Sequence, residues 1–513
     1  MFNLVAGVLW YKYAYITLIA LIILLGSMLV DSKQRLARIL RILGYILVIA
    51  MIPLSIYVMR LVDFYAYPFL FLLGLVGIAS TIYVEGYSRV LLGIARSLQL
   101  PLDVFSISLL LLYSSSTLIE FVVFWIITEL IGFMIILTEG TRKAWRAAIQ
   151  YLMVSALTAD FSLFTLLAIV SYHISLDKAF IMTFQELAIL GVTVGSVITI
   201  LLVVGFLAKA ALVPLHFWLP DAYTLAPSPA SAVLSGVMEK MSIFGVLRIL
   251  EVVKPDLLLL EYLLIILGSV TTIYASAQAL VQRDTKRLLS YSTMAYSGIL
   301  MALLGVYIYT GFDITVLYTL YMLMIAHGVA KSLLFLNAGS IEILANTRDI
   351  YELGYLSRID SSGAFTMTVG VLSLLGAPST IGFAAKFATI ALLVSIALNY
   401  GLSIIPVIVA LLFLSASGLV YGLKYLSSYY GGYKPIRSKV LKYYLLSWAE
   451  NYSSAVNLGL GLVIPLLFQY TTLGLLVLFI NFVALLGLIM SYIFILGQKK
   501  IRTEEIWLGG AYP

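Results

Sequence analysis

GFLAKAA, at residues 205–211, recurs as GFAAKFA at residues 382–388, and each copy carries one lysine within a long apolar run. These lysines, Lys209 and Lys386, are 386 − 209 = 177 residues apart. A charge at the centre of a membrane helix costs about 2.5–3.5 kcal/mol on insertion scales. A small-residue packing motif repeated by chance does not explain why both copies bear that cost, so the lysines indicate a functional repeat.

Both copies are also predicted to be interrupted helices. Pro214 follows Lys209, and the sequence Gly-Ala-Pro at residues 376–378 precedes Lys386. Proline removes a backbone N–H and breaks a helix. The carbonyl groups freed by a break persist inside a membrane only where they face protein or a wet cavity. A charge beside such a break is typical of an ion site.

The composition excludes a water-soluble globule. Of the 513 residues, 62% are hydrophobic and 11% are charged, whereas soluble domains are about 45–50% apolar and about 25% charged. The chain has 0 cysteines, so it has no thiolate ligands for a zinc or iron–sulfur site. We expect no cofactor in this chain and no nucleic-acid partner, because its basic residues fall in predicted membrane loops.

Fifteen apolar runs approach the roughly 20 residues needed to cross a bilayer, and the fourth and fourteenth are short. We therefore expect an all-α polytopic membrane protein with about 14–15 transmembrane helices. The runs are 13–30, 39–59, 64–84, 103–118, 119–138, 145–172, 190–213, 229–253, 257–281, 288–309, 315–341, 363–397, 402–426, 452–468 and 471–495.

The two lysine-bearing runs are the seventh and the twelfth, and this odd offset reverses the direction of the second copy across the membrane. Such inverted repeats are typical of secondary transporters. We expect two inverted five-helix repeats, each with one broken helix. The predicted segments are an N-terminal three-helix segment (1–102), a first repeat (103–256), a second repeat (257–426) and C-terminal helices with a short tail (427–513).

Basic loop residues alternate along the chain and predict its orientation. Loops after even-numbered runs hold only Arg60, Lys178 and Lys254. By the positive-inside rule, the N-terminus lies outside and the C-terminus in the cytoplasm, in the plasma membrane of a prokaryote. Loops after odd-numbered runs, with the tail, hold Lys33, Arg35, Arg38, Arg89, Arg96, Arg142, Lys143, Arg146, Arg283, Lys286, Arg287, Arg348, Arg358, Lys434, Arg437, Lys439, Lys499, Lys500 and Arg502.

Further ionisable residues lie within the apolar runs, and lysines outnumber acids among them. Lys209 has an obvious opposite charge in Glu129, and His327 and Lys331, at i and i+4, share a helix face. A structural salt bridge explains one such pair but not four lysines, so we expect a proton path. Its predicted members are Glu129, Lys209, Lys240, His327, Lys331 and Lys386.

Three more residues are possible auxiliaries of this path. Asp160 either takes part or pairs with a neighbouring helix. Glu239 precedes Lys240 and points about 100° away on a helix, so it either tunes Lys240 or pairs elsewhere. His216 follows Lys209 by seven residues, with a proline between them.

Several motifs together resemble one family of membrane subunits. They include the segments at 205–248, 284–293 (DTKRLLSYST), 327–335 (HGVAKSLLF) and 376–386 (GAPSTIGFAAK). These resemble the proton-translocating, antiporter-like subunits of respiratory complex I, of multisubunit Mrp-type cation/proton antiporters, and of archaeal membrane-bound hydrogenases and sulfur reductases. The likeness runs from about Phe124 to Lys386.

The resemblance implies a role for each matching residue. Glu129 and Lys209 resemble the family's functional ion pair, and Lys240 its bridging lysine. His327 and Lys331 resemble its central relay, and Lys386 its exit-side group.

Three residues depart from the family pattern, which leaves the route and the ion open. Tyr296 stands where many relatives have His or Asn, Glu239 stands where an uncharged residue is usual, and Asp160 is also unusual.

The resemblance further implies a proton-translocating subunit of a redox-driven pump, with the redox centres in partner chains. Implied partners are other membrane subunits, a peripheral redox arm, lipid, and H⁺ or alternatively Na⁺. The tail at 504–510 (EEIWLGG) resembles hydrogenase-linked members. An Mrp-type Na⁺/H⁺ antiporter subunit and a non-conducting structural subunit are the alternatives.

Overall fold

The computed structural model describes residues 2–92, 96–432, 444–466 and 472–497. Over these residues the chain consists of helices joined by turns, with three isolated β-bridges. The expectation of an all-α fold is confirmed. The predicted loop cations Lys434, Arg437, Lys439, Lys499, Lys500 and Arg502, and the tail at 504–510, lie outside the described residues.

Twenty-one α-helices follow one another in the described ranges. They are α1 Phe2–Leu29, α2 Gln34–Leu54, α3 Tyr67–Leu92, α4 Arg96–Tyr113, α5 Leu118–Leu137, α6 Arg142–Gln150, α7 Leu157–His173, α8 Leu176–Ile181, α9 Phe184–Ile189, α10 Ser196–Lys209, α11 Trp218–Leu225, α12 Ser228–Gly236, α13 Met241–Val252, α14 Leu257–Val281, α15 Thr285–Tyr309, α16 Ile314–Ala345, α17 Ser361–Leu375, α18 Ile381–Tyr400, α19 Ile405–Tyr430, α20 Tyr444–Leu466 and α21 Thr472–Gly497.

Ten spans in the described part of the chain are long and apolar enough to cross a membrane, and four apolar helices are shorter. Helices α15 and α16 form the centre, since 94% of each apolar window is buried, whereas α2 is 28% buried. Peripheral helices expose large apolar side chains such as Tyr57 and Leu398. The chain is therefore a polytopic membrane protein, as the composition predicted.

The first predicted break lies between α10 and α11, and neighbouring helices satisfy its backbone groups. The amide of Val213 donates to Thr271 Oγ1 at 2.9 Å. Ser297 Oγ donates to the carbonyl of Ala210 at 2.6 Å. These bonds from α14 and α15 explain how an interrupted backbone is tolerated at membrane depth.

The second predicted break lies between α17 and α18. Gly376 ends α17 in the left-handed region, at φ 74°. The amide of Ser379 donates to Asn481 Oδ1 of α21 at 2.9 Å, and Thr380 caps the start of α18. Both breaks stand where the prolines predicted them, whereas the inverted relation of the two repeats and the four-segment division stay predictions.

Two further irregularities were not predicted from the sequence. The run at 229–253 was expected to be one helix, but it divides into α12 and α13 around a 3₁₀ turn at Met238–Lys240. The run at 145–172 contains a π-helical turn at Tyr151–Ala156. Such π-turns are frequent at functional sites, and both irregularities carry residues of the site described below.

Some cations predicted for loops lie in helices instead. Arg38 is in α2 and pairs with Glu85 of α3 at 3.0 Å. Lys286 is buried in the first turn of α15, where it donates to the carbonyl of Ala226. Helices α2 and α15 begin before their apolar runs do. A buried partner offsets the cost of burying each charge.

The first glycine of each repeated motif allows a close approach of two backbones. A Cβ built on Gly205 would lie 2.2 Å from the carbonyl oxygen of Thr158, and one on Gly382 would lie 1.7 Å from that of Ser373. We expect Gly205→Ala and Gly382→Ala each to lower the free energy of unfolding by at least about 1–3 kcal/mol, because the helices must separate. Thermal unfolding of the purified assembly measures this.

Gly459→Ala is the matched control for these substitutions. Gly459 lies within α20, and a Cβ there would meet no atom of the described residues within 4 Å. Alanine is favoured over glycine in a helix by about 1 kcal/mol, so this variant should unfold at or above the wild-type temperature. Normal stability of the Gly382→Ala variant would contradict the close approach of α17 and α18.

Candidate functional site

Glu129 and Lys209 meet in the interior, although they are far apart in the chain. Lys209, at the end of α10, places Nζ 3.2 Å from Glu129 Oε1 of α5. The same ammonium lies 3.2 Å from the Tyr151 hydroxyl and 4.8 Å from the centre of its ring. All three side chains are buried. Lys209, which lies just before the first break, therefore contacts both a carboxylate and a hydroxyl, and the hydroxyl comes from the π-turn.

A methionine lies beyond this pair, toward the middle of the molecule. The Tyr151 hydroxyl contacts Met238 Sδ at 4.0 Å. Gly132, three residues after Glu129 on α5, faces both groups, and a Cβ there would lie 2.9 Å from the hydroxyl. The pair is therefore separated from the next charged group by the apolar Met238 side chain.

Lys240 is the centre of a second group of buried side chains, which forms at the 3₁₀ turn between α12 and α13. Its Nζ contacts the carboxylate of Glu239 and donates to the carbonyl of Ser235 at 3.0 Å. It also lies 2.8 Å from Nδ1 of His327 on α16. An ammonium and an imidazole in direct contact can exchange a proton.

Tyr296 joins His327 to Lys386. The rings of Tyr296 and His327 are stacked, with centroids 4.5 Å apart and planes 12° apart. Lys386 Nζ lies 5.6 Å from the Tyr296 ring centre and donates to the carbonyl of Leu375 at 3.4 Å. The Tyr296 hydroxyl donates to Leu374 at 2.7 Å. Side chains in mutual contact therefore run from Lys240 to Lys386 at the second break.

Lys331 lies beside this line. One turn after His327 on α16, its Nζ donates to the carbonyl of Leu289 at 2.9 Å. The side chain is fully buried. The partner is a backbone dipole and not a carboxylate, so Lys331 is able to hold or release a proton without breaking an ion pair.

The three auxiliary candidates have different surroundings. Glu239 contacts Lys240, as described above. Asp160 is half-buried in α7, and its Oδ1 has no hydrogen-bond partner within the described residues. His216 lies half-buried in the first break, with Nδ1 3.2 Å from the carbonyl of Pro214 and its ring against Tyr274. The structure thus brings Glu239 into the line and places His216 apart from it.

Residues of both the Glu129–Lys209 pair and the line have a polar atom without a hydrogen-bond partner in the described part of the chain. These atoms are Glu129 Oε2, Glu239 Oε1 and His327 Nε2. Buried polar atoms are nearly always hydrogen-bonded, and each exception needs an explanation such as water or a bound ion. These residues are therefore able to bind water or an ion in addition to one another's side chains.

Sequence reasoning missed other buried charges. They lie at the ends of apolar runs or in predicted loops, where a charged residue is indistinguishable from an interfacial one. The pairs include Arg41–Glu85 at 3.3 Å, Arg41–Asp103 at 3.9 Å, Lys12–Glu120 at 2.7 Å and Arg248–Asp63 at 2.5 Å. Tyr151 and Tyr296 were also missed as contacts of Lys209 and His327.

The described residues contain no group of three or more His, Asp or Glu side chains that could hold a metal ion. Ammonium, imidazole, phenol and carboxylate groups exchange protons without a metal or cofactor. Proton exchange is thus one reaction that these side chains can perform.

A helical membrane fold with lysines, acids and a histidine buried along one line defines a polytopic membrane protein with a charged interior. Residues 115–432 match the family described as NADH:quinone oxidoreductase/Mrp antiporter, TM. The match covers more than half of the chain, so the chain belongs to this family. The resemblance predicted from the motifs is confirmed.

Relatives and solved structures agree with this assignment. NADH-quinone oxidoreductase subunit M of Rickettsia conorii is 28% identical over 320 residues, which are 62% of this chain and 61% of that one. The membrane-bound sulfane sulfur reductase, an archaeal respiratory membrane complex, aligns with a TM-score of 0.71 at 19% identity, over 87% of this chain and 75% of that one. The Mrp complex from Dietzia sp. DQ12-45-1b also gives 0.71, at 18% identity, over 91% and 99%.

These matches establish the family and the fold. The chain spans 61%, 50% and 54% of the length of three curated relatives that it matches.

Proposed function

We propose that the chain is the proton-translocating, antiporter-like membrane subunit of a redox-driven pumping complex, of the membrane-bound hydrogenase, sulfur-reductase or complex I type. The observation that carries the proposal is the contact line from Lys240 through His327 and Tyr296 to Lys386. Such a line of ionisable groups at membrane depth is costly without a transport role. Redox centres and cofactors would lie in a peripheral arm and other subunits.

The Glu129–Lys209 pair is the proposed switch. At an effective dielectric constant of about 20, two unit charges about 4 Å apart attract by about 4 kcal/mol. A partner that separates the pair would remove that attraction and so favour release of a proton by Lys209. Beyond Met238, the proton would continue to Lys240.

The remaining residues would pass the proton onward. Lys240 and His327 exchange it directly, and Lys386 delivers it at the second break. Lys331 holds a proton beside the line. The unpartnered atoms of Glu129, Glu239 and His327 are the proposed positions for water. Asp160 is a proposed neighbour of the switch, and His216 a proposed group at the mouth of the first break.

An Mrp-type Na⁺/H⁺ antiporter subunit without a redox arm is the second candidate. The observation that favours it is the alignment with the Mrp complex structure over 99% of that chain. The same line of charges is compatible with either function, because a Na⁺/H⁺ antiporter also needs a route for protons. Iron and flavin in the purified assembly would favour the redox pump.

The proposed function also implies a location and an orientation for the chain. We infer a plasma-membrane location in a prokaryote, with the N-terminus outside and the C-terminus in the cytoplasm. Repeats at 103–256 and 257–426 would hold the line, while segments 1–102 and 427–513 would contact lipid and partner subunits.

Vesicles containing the intact assembly test the proposal. On addition of electron donor and acceptor, we expect proton movement without a requirement for Na⁺. A sodium gradient that drives proton movement without electron transfer would favour the Mrp-type reading. If Lys240→Ala leaves transport unchanged in a normally assembled complex, the chain is a structural subunit and the proposal fails.

A further inference from the structure

Three tyrosines on α19 form a ladder of buried hydroxyl groups outside the line described above. Tyr421, Tyr425 and Tyr429 recur every fourth residue, so they share one helix face. Each is at most 1% exposed. The ladder extends over eight residues, or about 12 Å along the helix.

The end of the ladder at Tyr429 reaches a buried carboxylate beside the loop at 346–359. Tyr429 donates its hydroxyl proton to Asp360 Oδ2, 3.1 Å away. Asp360 is the N-cap of α17, follows the loop at 346–359 and is 6% exposed. It therefore lies at the boundary between that loop and the interior.

Asn337 of α16 connects the next two hydroxyls. Its Nδ2 lies 3.4 Å from the Tyr429 hydroxyl, and its Oδ1 accepts a bond from Tyr425 at 3.3 Å. Tyr425 also donates to the carbonyl of Leu334 at 3.1 Å. All these groups are buried, so the polar contacts are continuous from Asp360 to Tyr425.

The end of the ladder at Tyr421 lies about one helical turn from the line of charges. One turn before Tyr425, the Tyr421 hydroxyl accepts a bond from Ser292 of α15 at 3.1 Å. Ser292 is one turn before Tyr296, which contacts both His327 and Lys386. The ladder thus points from the membrane face of loop 346–359 toward the middle of the line.

We propose that the tyrosine ladder from Asp360 to Ser292 is a proton-access branch that connects the line of charges to the membrane face of loop 346–359. The inference rests on the proposed function. Phenylalanine would fill the same space without burying a hydroxyl, which costs free energy unless it is hydrogen-bonded. Hydroxyl groups both donate and accept. With water beside the Asn337 amide and between the Tyr425 and Tyr421 hydroxyls, they pass a proton along without changing their own protonation.

Removal of two hydroxyls tests the branch. In vesicles with the intact assembly, Tyr425→Phe combined with Tyr429→Phe should reduce proton transport about tenfold or more at a normal amount of assembled complex, as for loss of a proton-transfer group. Tyr430→Phe is the matched control: its hydroxyl also bonds to α17, at Ala364, but the side chain is 57% exposed. It should transport within about twofold of wild type.

The outcomes separate this branch from the proposed function. If the double variant transports normally, or Tyr430→Phe loses as much, the tyrosines only hold helices together and the branch is wrong. Lys240→Ala in the same preparation must abolish transport. If Lys240→Ala has no effect, the proposed function itself fails, and the branch fails with it.

Access of water gives a second test that does not depend on transport. Because the chain has 0 cysteines, a single introduced cysteine is the only thiol on it. Asn337→Cys should react with a small water-soluble thiol reagent added on the face of loop 346–359, as seen by a mass shift of this chain. Leu336→Cys, a buried apolar neighbour, should not. Equal protection of both cysteines would contradict a hydrated branch.

Discussion

Glu129→Gln is expected to reduce proton transport by the assembled complex at least about a hundredfold, the scale of effect seen when a proton-transfer group is removed. In the wild-type chain, Lys209 Nζ lies 3.2 Å from Glu129 Oε1. Glutamine keeps the size of the side chain and an oxygen that can face this ammonium. It removes the charge that holds the ammonium. The switch would then lose its two states even though the packing is kept. Proton uptake by vesicles, per unit of assembled complex, measures the effect.

Stability and transport should respond differently when the second charge is also removed. Removal of one partner of a buried pair costs about 3–5 kcal/mol, whereas replacement of both by neutral groups is often nearly neutral. Glu129→Gln combined with Lys209→Met should therefore unfold closer to the wild-type temperature than Lys209→Met alone, with no recovery of transport. If transport returns together with stability, the pair is structural and the switch is wrong.

A surface lysine provides the control for charge removal in general. Lys178 lies in α8 and is exposed. Lys178→Gln changes the net charge by the same amount as Lys209→Met but disturbs no buried pair. It should leave transport and thermal stability unchanged, within about 0.5 kcal/mol for the latter.

The two breaks next to Lys209 and Lys386 were predictable, because Pro214 and Gly376 act on the backbone locally. The break before Lys240 was not, since the 3₁₀ turn contains no proline. Its geometry depends on distant residues: Tyr113 of α4 donates to the carbonyl of Val237 at 2.8 Å. A helix interruption held by tertiary hydrogen bonds has no local signal in the sequence.

The sequence predicted which residues belong to the site, but it did not predict how they contact one another. Charges inside apolar runs are visible because each is costly there. Their partners are not visible: Lys240 and His327, 2.8 Å apart, are separated by 87 residues. Tyr296 was noted only as a departure from the family. Its place between His327 and Lys386 comes from the packing of α15 against α16 and from the reach of the Lys386 side chain of α18 to its ring.

The burial of two charged residues near the N-terminus was not predictable from the sequence. Arg41 and Asp103 lie near the first residues of their apolar runs, where a charge is compatible with the membrane interface. Packing of α1 to α4 buries both of them, with Arg41 and Asp103 each 0% exposed. Burial of a helix end depends on its neighbours, which hydropathy along one chain does not report.

His327→Phe is expected to abolish transport while it preserves the fold. Phenylalanine retains a flat ring that can stack on Tyr296 as the imidazole does, at 4.5 Å. It has no nitrogen to replace Nδ1, which lies 2.8 Å from Lys240 Nζ. Lys240 would lose its one titratable neighbour on α16 within direct contact. Transport should fall about a hundredfold or more, with assembly and thermal unfolding close to wild type.

Tyr296→Phe is the counterpart that separates stacking from proton exchange. It keeps the ring between His327 and Lys386 and removes only the hydroxyl bond to Leu374. Loss of one such bond costs about 1 kcal/mol of stability, and transport should fall far less than in His327→Phe. If His327→Phe transports normally, protons bypass the imidazole, and Lys331, one turn away on α16, becomes the group that must carry them. Equal losses in both variants would instead show that the Tyr296 hydroxyl limits passage between Lys240 and Lys386 as much as the imidazole nitrogen does.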